Sequence, residues 1–112
     1  MKVAFATLDG RHVHGDLRRA PLLVIYEVRG DGFRLDRVSS FEEGAHRSQD
    51  RIQAVADVSV VYVAATGPST AARLAARGVR AGTAPEGTAI GDVLVAMVDR
   101  LAAVREPFLS CG

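Results

Sequence analysis

A single cysteine, Cys111, lies one residue from the end of this 112-residue chain, so no internal disulfide can staple the fold. Neither sign of charge prevails: 14 basic against 13 acidic side chains leave a net charge of +1. General nucleic-acid binding needs a basic excess to displace counterions, and that class is excluded. No apolar run approaches the ~18–20 residues that span a bilayer. The opening MKVAFATLDG is too short in its apolar part for a signal-peptide core. No internal repeat or low-complexity linker interrupts the chain. The sequence also lacks GxSxG, HExxH, CxxC, a P-loop GKS/GKT and GxGxxG, and nothing points to a Ser-His-Asp set. These absences imply a soluble, cytoplasmic, non-enzymatic domain that contacts neither nucleic acid nor membrane.

The content that remains is ordinary for a globular domain, at 48% hydrophobic and 24% charged. One domain over residues 1–105 is expected, with residues 106–112 as a C-terminal tail that includes the Cys111 thiol. Val3-Ala4-Phe5-Ala6 is apolar on both faces and predicts a central strand covered on each side. Asp9-Gly10 ends it with a turn pair. Leu22 to Val28 predicts a second strand, and Gly30-Asp31-Gly32 links it to a third over Phe33–Ser40. Arg34, Asp36 and Arg37 suit that third strand to a sheet edge, where charge discourages pairing with other molecules.

After Gly44 the period changes, and Ile52, Val55 and Ala56 predict a short helix from about His46 to Ala56. Val58 to Ala64 reads as a buried parallel strand, broken by Thr66-Gly67-Pro68. Pro68 is suited to the first helical position, Gly78 to a left-handed cap after that helix, and Val79–Thr83 to a short strand. Thr88 is expected to cap a last helix whose Ile90, Val93, Leu94, Met97, Val98 and Leu101 form one stripe. The predicted fold is α/β: a five-stranded mixed sheet with helices on both faces, the later strands parallel and an early one antiparallel.

Chemistry concentrates between the first two strands, in DGRHVHGDLRRAPLLVIY (residues 9–26). His12 and His14, two apart, point the same way in extended backbone, and neutral imidazole is a common transition-metal ligand. Two surface histidines in a turn would read the same in sequence. His46 reads as a solvated side chain. Arg18 and Arg19 can hold carboxylate or phosphate through paired hydrogen bonds, or lie solvated beside Asp16. The strand–glycine–helix run through Thr66, Gly67 and Ser69 offers a helix N-terminus, a weak anion signal that would form a wall beside the histidines. Two-metal nuclease chemistry needs carboxylates on neighbouring strand ends. Asp9 follows the first strand, but Asp57 precedes its neighbour and belongs at the opposite end.

Several segments taken together carry a resemblance: VAFATLDG, the DG-xx-V that follows it, VIYEV, DRIQAVAD ahead of VVYVAATGPSTAARLAARGV, APEGTAIGDVL and the closing EPFL. In order and spacing, over nearly the whole chain, this resembles the dinitrogenase iron–molybdenum cofactor-binding family, and its NifX-like branch in particular. That resemblance implies a ribonuclease-H-like three-layer architecture. It further implies a cytoplasmic monomer that transiently carries an iron–sulfur cofactor precursor or the iron–molybdenum cofactor, with cofactor-assembly scaffold proteins as partners.

The chain departs from the family where ligands are expected. The family's first loop reads V-N-x-H-F-G, whereas Val13-His14-Gly15-Asp16-Leu17-Arg18 stands here. Asp16 thus holds the histidine position, Leu17 the phenylalanine and Arg18 the glycine. Many relatives also carry a cysteine where this chain has Val58. Soft clusters favour thiolate or imidazole over carboxylate. The expected site is therefore His12, His14, Asp16, Arg18, Arg19, Thr66, Gly67 and Ser69, with His12 and His14 as metal ligands from a shifted position. Mainly electrostatic binding through Arg18 and Arg19, or a protein-interaction or regulatory module of the same fold that has lost cluster binding, are the alternatives.

Overall fold

A computed structural model describes residues 1–41 and 48–111, with side chains described except at 48–49 and 104–111. His46 lies outside the described residues. Five strands run β1 (Lys2–Thr7), β2 (Leu22–Arg29), β3 (Gly32–Ser40), β4 (Val60–Val63) and β5 (Arg80–Thr83). The helices are α1 (Ser48–Ala54), α2 (Pro68–Ala75) and α3 (Ile90–Cys111). The sheet order is β3-β2-β1-β4-β5, so the first strand is central and the charged third strand is an edge, as their sequences demand. β1 pairs antiparallel with β2 and parallel with β4, and β4 pairs parallel with β5. A bulge in the β2–β3 pairing falls where Ile25 meets Arg37 and Tyr26 meets Leu35, leaving Asp36 as the extra residue.

Alternation along β1 divides the core in two. Ala4 and Ala6 pack with Leu23, Ile25 and Val61 beneath Ile52 and Val55, around α1, and Leu74 of α2. Val3 and Phe5 pack on the other face with Val24, Val28, Ile90 and Leu94, joined by the rest of the stripe, Val93, Met97, Val98 and Leu101. Phe5 is fully buried, stacked on Tyr62 at 5.6 Å and edge-on to Tyr26 at 6.2 Å between ring centroids.

The element ends match in part. Pro68 opens α2, and Gly78 takes φ +78° just beyond it, with the Val79 N–H reaching back to the Leu74 carbonyl. Thr88 does not cap the last helix; its hydroxyl donates to the Pro85 carbonyl at 2.6 Å. Ala89 stands at the helix entrance instead, tied to His12 by an isolated antiparallel bridge. Val58 is not in β4, whose pairing starts at Val60; the Val58 N–H closes a turn onto the Val55 carbonyl. α3 continues helical through residues 106–111, the segment set apart as a tail by sequence.

Asp57 lies at the strand-start end of the sheet, away from Asp9, and both its oxygens accept from Arg37, with Lys2 Nζ at 3.3 Å. The Arg37 hydrogen bonds outweigh partial burial and bring the Asp57 carboxyl down to about 2. Since ~3.9 is the unfolded value, this carboxylate stabilises the fold above ~pH 4, and that contribution fades as pH falls toward the folded value. The side chain is 48% exposed, so solvent screening holds the effect under about 1 kcal/mol. Urea titrations of Asp57→Asn at pH 7 and pH 3 check this. The variant is expected to be less stable than wild type at pH 7, with the gap narrower at pH 3.

Candidate functional site

The carboxyl ends of the parallel strands β1, β4 and β5 share one edge of the sheet. There β1 turns back toward β2 while β4 departs for α2, which is where open α/β sheets collect ligands. Loop 8–21 follows β1 and is braced by both neighbouring connections. The Ala64 and Ala65 N–H groups donate to the Gly15 carbonyl at 2.8 and 3.2 Å. Val13 and Thr88 are joined by an N–H to carbonyl bond of 2.8 Å, and the Gly87 N–H donates to the Val13 carbonyl. Glu86 accepts from the Gly15 N–H at 2.8 Å. Gly15 takes φ +62°, a left-handed conformation that costs side chains dearly, which admits this double docking.

Asp9 is the organising residue. Its Oδ1 accepts from the Arg11 N–H at 2.8 Å, the His12 N–H at 2.9 Å and the Thr7 hydroxyl at 3.2 Å. Its Oδ2 lies 2.7 Å from His12 Nδ1. The His12 hydrogen bond, then the Arg11 N–H, hold the Asp9 carboxyl far below the ordinary carboxylate range. An acceptor-only carboxylate fixes the hydrogen of a neutral His12 ring on Nδ1, leaving the Nε2 lone pair for a ligand. His14 is set the opposite way. Its Nδ1 accepts the Leu8 N–H at 3.1 Å, so the neutral ring carries hydrogen on Nε2 and presents a donor there. The two rings lie 6.0 Å apart, as their i, i+2 spacing predicts, with His12 the more exposed, at 43% against 19%.

Beside His14 is a shallow concavity of about 140 Å³ lined by Leu8, His14, Gly15, Asp16, Arg19, Ala20 and Glu86. Asp16 Oδ1 accepts the Arg19 N–H at 3.0 Å and so shapes the turn that sets Arg19 on this wall. Neither His12 nor Arg18 is among the lining residues; Arg18 reaches Asp16 only at 3.9 Å and is 62% exposed. Thr66, Gly67 and Ser69 do not line it either, because the β4–α2 turn meets the loop through Ala64 and Ala65. Gly67 is the N-cap of α2 and brings no side-chain cap. The second wall is Glu86, from the turn before α3. Sequence inspection missed Asp9 and Glu86 as site residues. Asp at the head of a turn followed by His three residues on was the available signal for Asp9.

The floor of the loop is pinned by Arg51, buried to 1% exposure on α1. Its Nε donates to the Ala20 carbonyl at 2.9 Å, and its guanidinium lies 4.5 Å from the Phe41 ring centroid. Burial lowers its pKa, yet an arginine starts high enough to stay charged.

Among the described residues no cluster of three or more His, Cys, Asp or Glu side chains could enclose a metal ion.

The family model described as dinitrogenase iron–molybdenum cofactor matches residues 1–100. The chain is 38% identical over 98 residues to Protein NifX of Klebsiella pneumoniae, covering 84% of this chain and 63% of that protein. It thus spans under two thirds of that relative's length. It is 29% identical to Protein NifX of Herbaspirillum seropedicae, over 97% of this chain and 79% of that protein. The solved structure titled PH0822 superposes with a TM-score of 0.67 at 21% identity, over 88% of this chain and 90% of that one, a likeness of fold. By its sequence the chain is a member of the dinitrogenase iron–molybdenum cofactor family.

Proposed function

We propose that this protein carries, without transforming it, an anionic iron–sulfur precursor of the iron–molybdenum cofactor, or the cofactor itself. It would act as a monomer in the cytoplasm, handing cargo between nitrogenase cofactor-assembly scaffold proteins. Residues 1–105 would form the binding domain, in a ribonuclease-H-like architecture with which the β3-β2-β1-β4-β5 order agrees. The observation that carries the reading is the opposed setting of the two histidines.

His12 Nε2 supplies one soft ligand to an exposed iron. His14 Nε2–H donates to a bridging sulfide or carboxylate oxygen of the cargo, and Arg19 balances its negative charge across the concavity. Arg18 adds field from the rim. Thr66, Gly67 and Ser69 contribute at most the positive end of α2. Asp16, standing where relatives hold histidine, serves as the brace of the Arg19 turn. One ligand and a few hydrogen bonds make a site that releases what it binds, which a carrier requires.

The test is anaerobic titration of isolated iron–molybdenum cofactor, followed by visible absorption and gel filtration. Wild type is expected to retain colour through the column, and His12→Ala/His14→Ala to lose it. Equal retention by both proteins would remove the histidines from the site. A colourless wild type that still co-purifies with a scaffold would favour the interaction module, a reading motivated by Asp16 and Val58 at the family's ligand positions.

A further inference from the structure

The opposite end of the sheet holds a second, larger cavity, about 240 Å³, unconnected with the histidine loop. Ser59, Val60 and Arg80 line it at the starts of β4 and β5, while the histidine loop follows the strand ends. Six residues of β1 at ~3.3 Å each put the two places about 20 Å apart.

Its floor is aromatic. Tyr62 stacks on Phe5 with 14° between ring planes, and its other side covers Gly82. A Cβ at residue 82 would lie 2.8 Å from Tyr62 Cε1, so the absence of a side chain there is what lets the ring lie flat against β5. Met97 and Leu101 of α3 line it with apolar side chains, as does Met1. Two arginines, Arg80 and Arg100, complete the lining from different elements. Both are exposed, and neither guanidinium has an ion pair with a described residue, whereas Arg37 and Arg18 do.

An aromatic and thioether lining, shared with two guanidinium groups that form no ion pair with a described residue, is the donor arrangement for an apolar body ending in an oxyanion. The volume falls below the ~300 Å³ at which drug-sized pockets begin, so the ligand is small. We propose that this cavity binds a small carboxylic acid with an aromatic or branched apolar body, its carboxylate held between Arg80 and Arg100 and its body on Tyr62. The cavity's lining owes nothing to the loop of the cofactor reading, and the inference stands whether or not that reading does.

The experiment is NMR titration of the isotopically labelled protein with phenylacetate, acetate and 2-phenylethanol. Phenylacetate is expected to give saturable shifts at the Gly82 amide and the Met97 and Leu101 methyls, with a Kd on the order of 1 mM or tighter. Acetate lacks the body and 2-phenylethanol the charge, and each should bind at least about tenfold more weakly. Arg80→Gln/Arg100→Gln, a surface change that leaves the core intact, should weaken phenylacetate by about tenfold and leave 2-phenylethanol unchanged. Equal binding of the alcohol and the acid, shifts confined to residues 8–21, or no saturation at all would each overturn the proposal.

Discussion

Phe5→Ala is expected to lower unfolding free energy by about 3–5 kcal/mol, measured by urea denaturation with an unchanged slope. Total stability for such a domain is ~5–15 kcal/mol, so the variant would sit near the limit of folding. Phe5 is at 0% exposure on the central strand, and its ring joins Tyr26 and Tyr62 in one aromatic row across β2, β1 and β4. Truncation forfeits the transfer term and both ring contacts, and opens a void that strands hydrogen-bonded on each side cannot close. Phe5→Leu keeps most of the volume and should cost much less, although the ring contacts go with it. A loss below about 1 kcal/mol for Phe5→Ala would mean that the aromatic row does not support the α3 face.

How far the fold could be read in advance depended on whether the relevant interaction was local. The stripe from Ile90 to Leu101 declares itself because burial on a helix repeats at a fixed period, and β1 because a short apolar run closed by a turn pair marks a strand covered on both faces. Pro68 and Gly78 announce helix ends through their own backbone limits. Val58 misled, since a β-branched residue beside a strand is indistinguishable in composition from one inside it. Thr88 misled for a different reason: the segment before α3 satisfies its backbone against Arg11 and Val13, so Ala89 takes the entrance without a capping side chain.

The site was legible in part: His14, Asp16 and Arg19 were named from sequence and line the concavity, with the His12 ring 6.0 Å from that of His14. That Glu86 caps Gly15 across 71 residues of chain, or that Ala64 and Ala65 rather than Thr66–Ser69 meet the loop, follows from strand order and loop path together. Arg51 reads as a solvated helix charge until Phe41 is seen to cover it. Asp9 was legible as a turn former but not as the group that sets an imidazole.

Asp9→Asn should reduce affinity for the iron–molybdenum cofactor by about 10–100-fold, the range for removing a carboxylate partner from a ligating histidine. The substitution keeps the amide oxygen where Oδ1 accepts the Arg11 and His12 N–H groups, so the turn persists. It places an NH₂ donor where Oδ2 faces His12 Nδ1. A neutral ring must then accept at Nδ1 and carry hydrogen on Nε2, the nitrogen proposed to ligate iron. The loop is intact and the ligand is switched off. His14→Ala should act differently, because its Nδ1 is already committed to Leu8 and its Nε2 offers only a hydrogen bond, so a loss of tenfold or less is expected. Anaerobic titration with circular dichroism of each variant distinguishes the two effects. If Asp9→Asn binds as tightly as wild type while His14→Ala abolishes binding, the roles assigned to the two histidines are reversed.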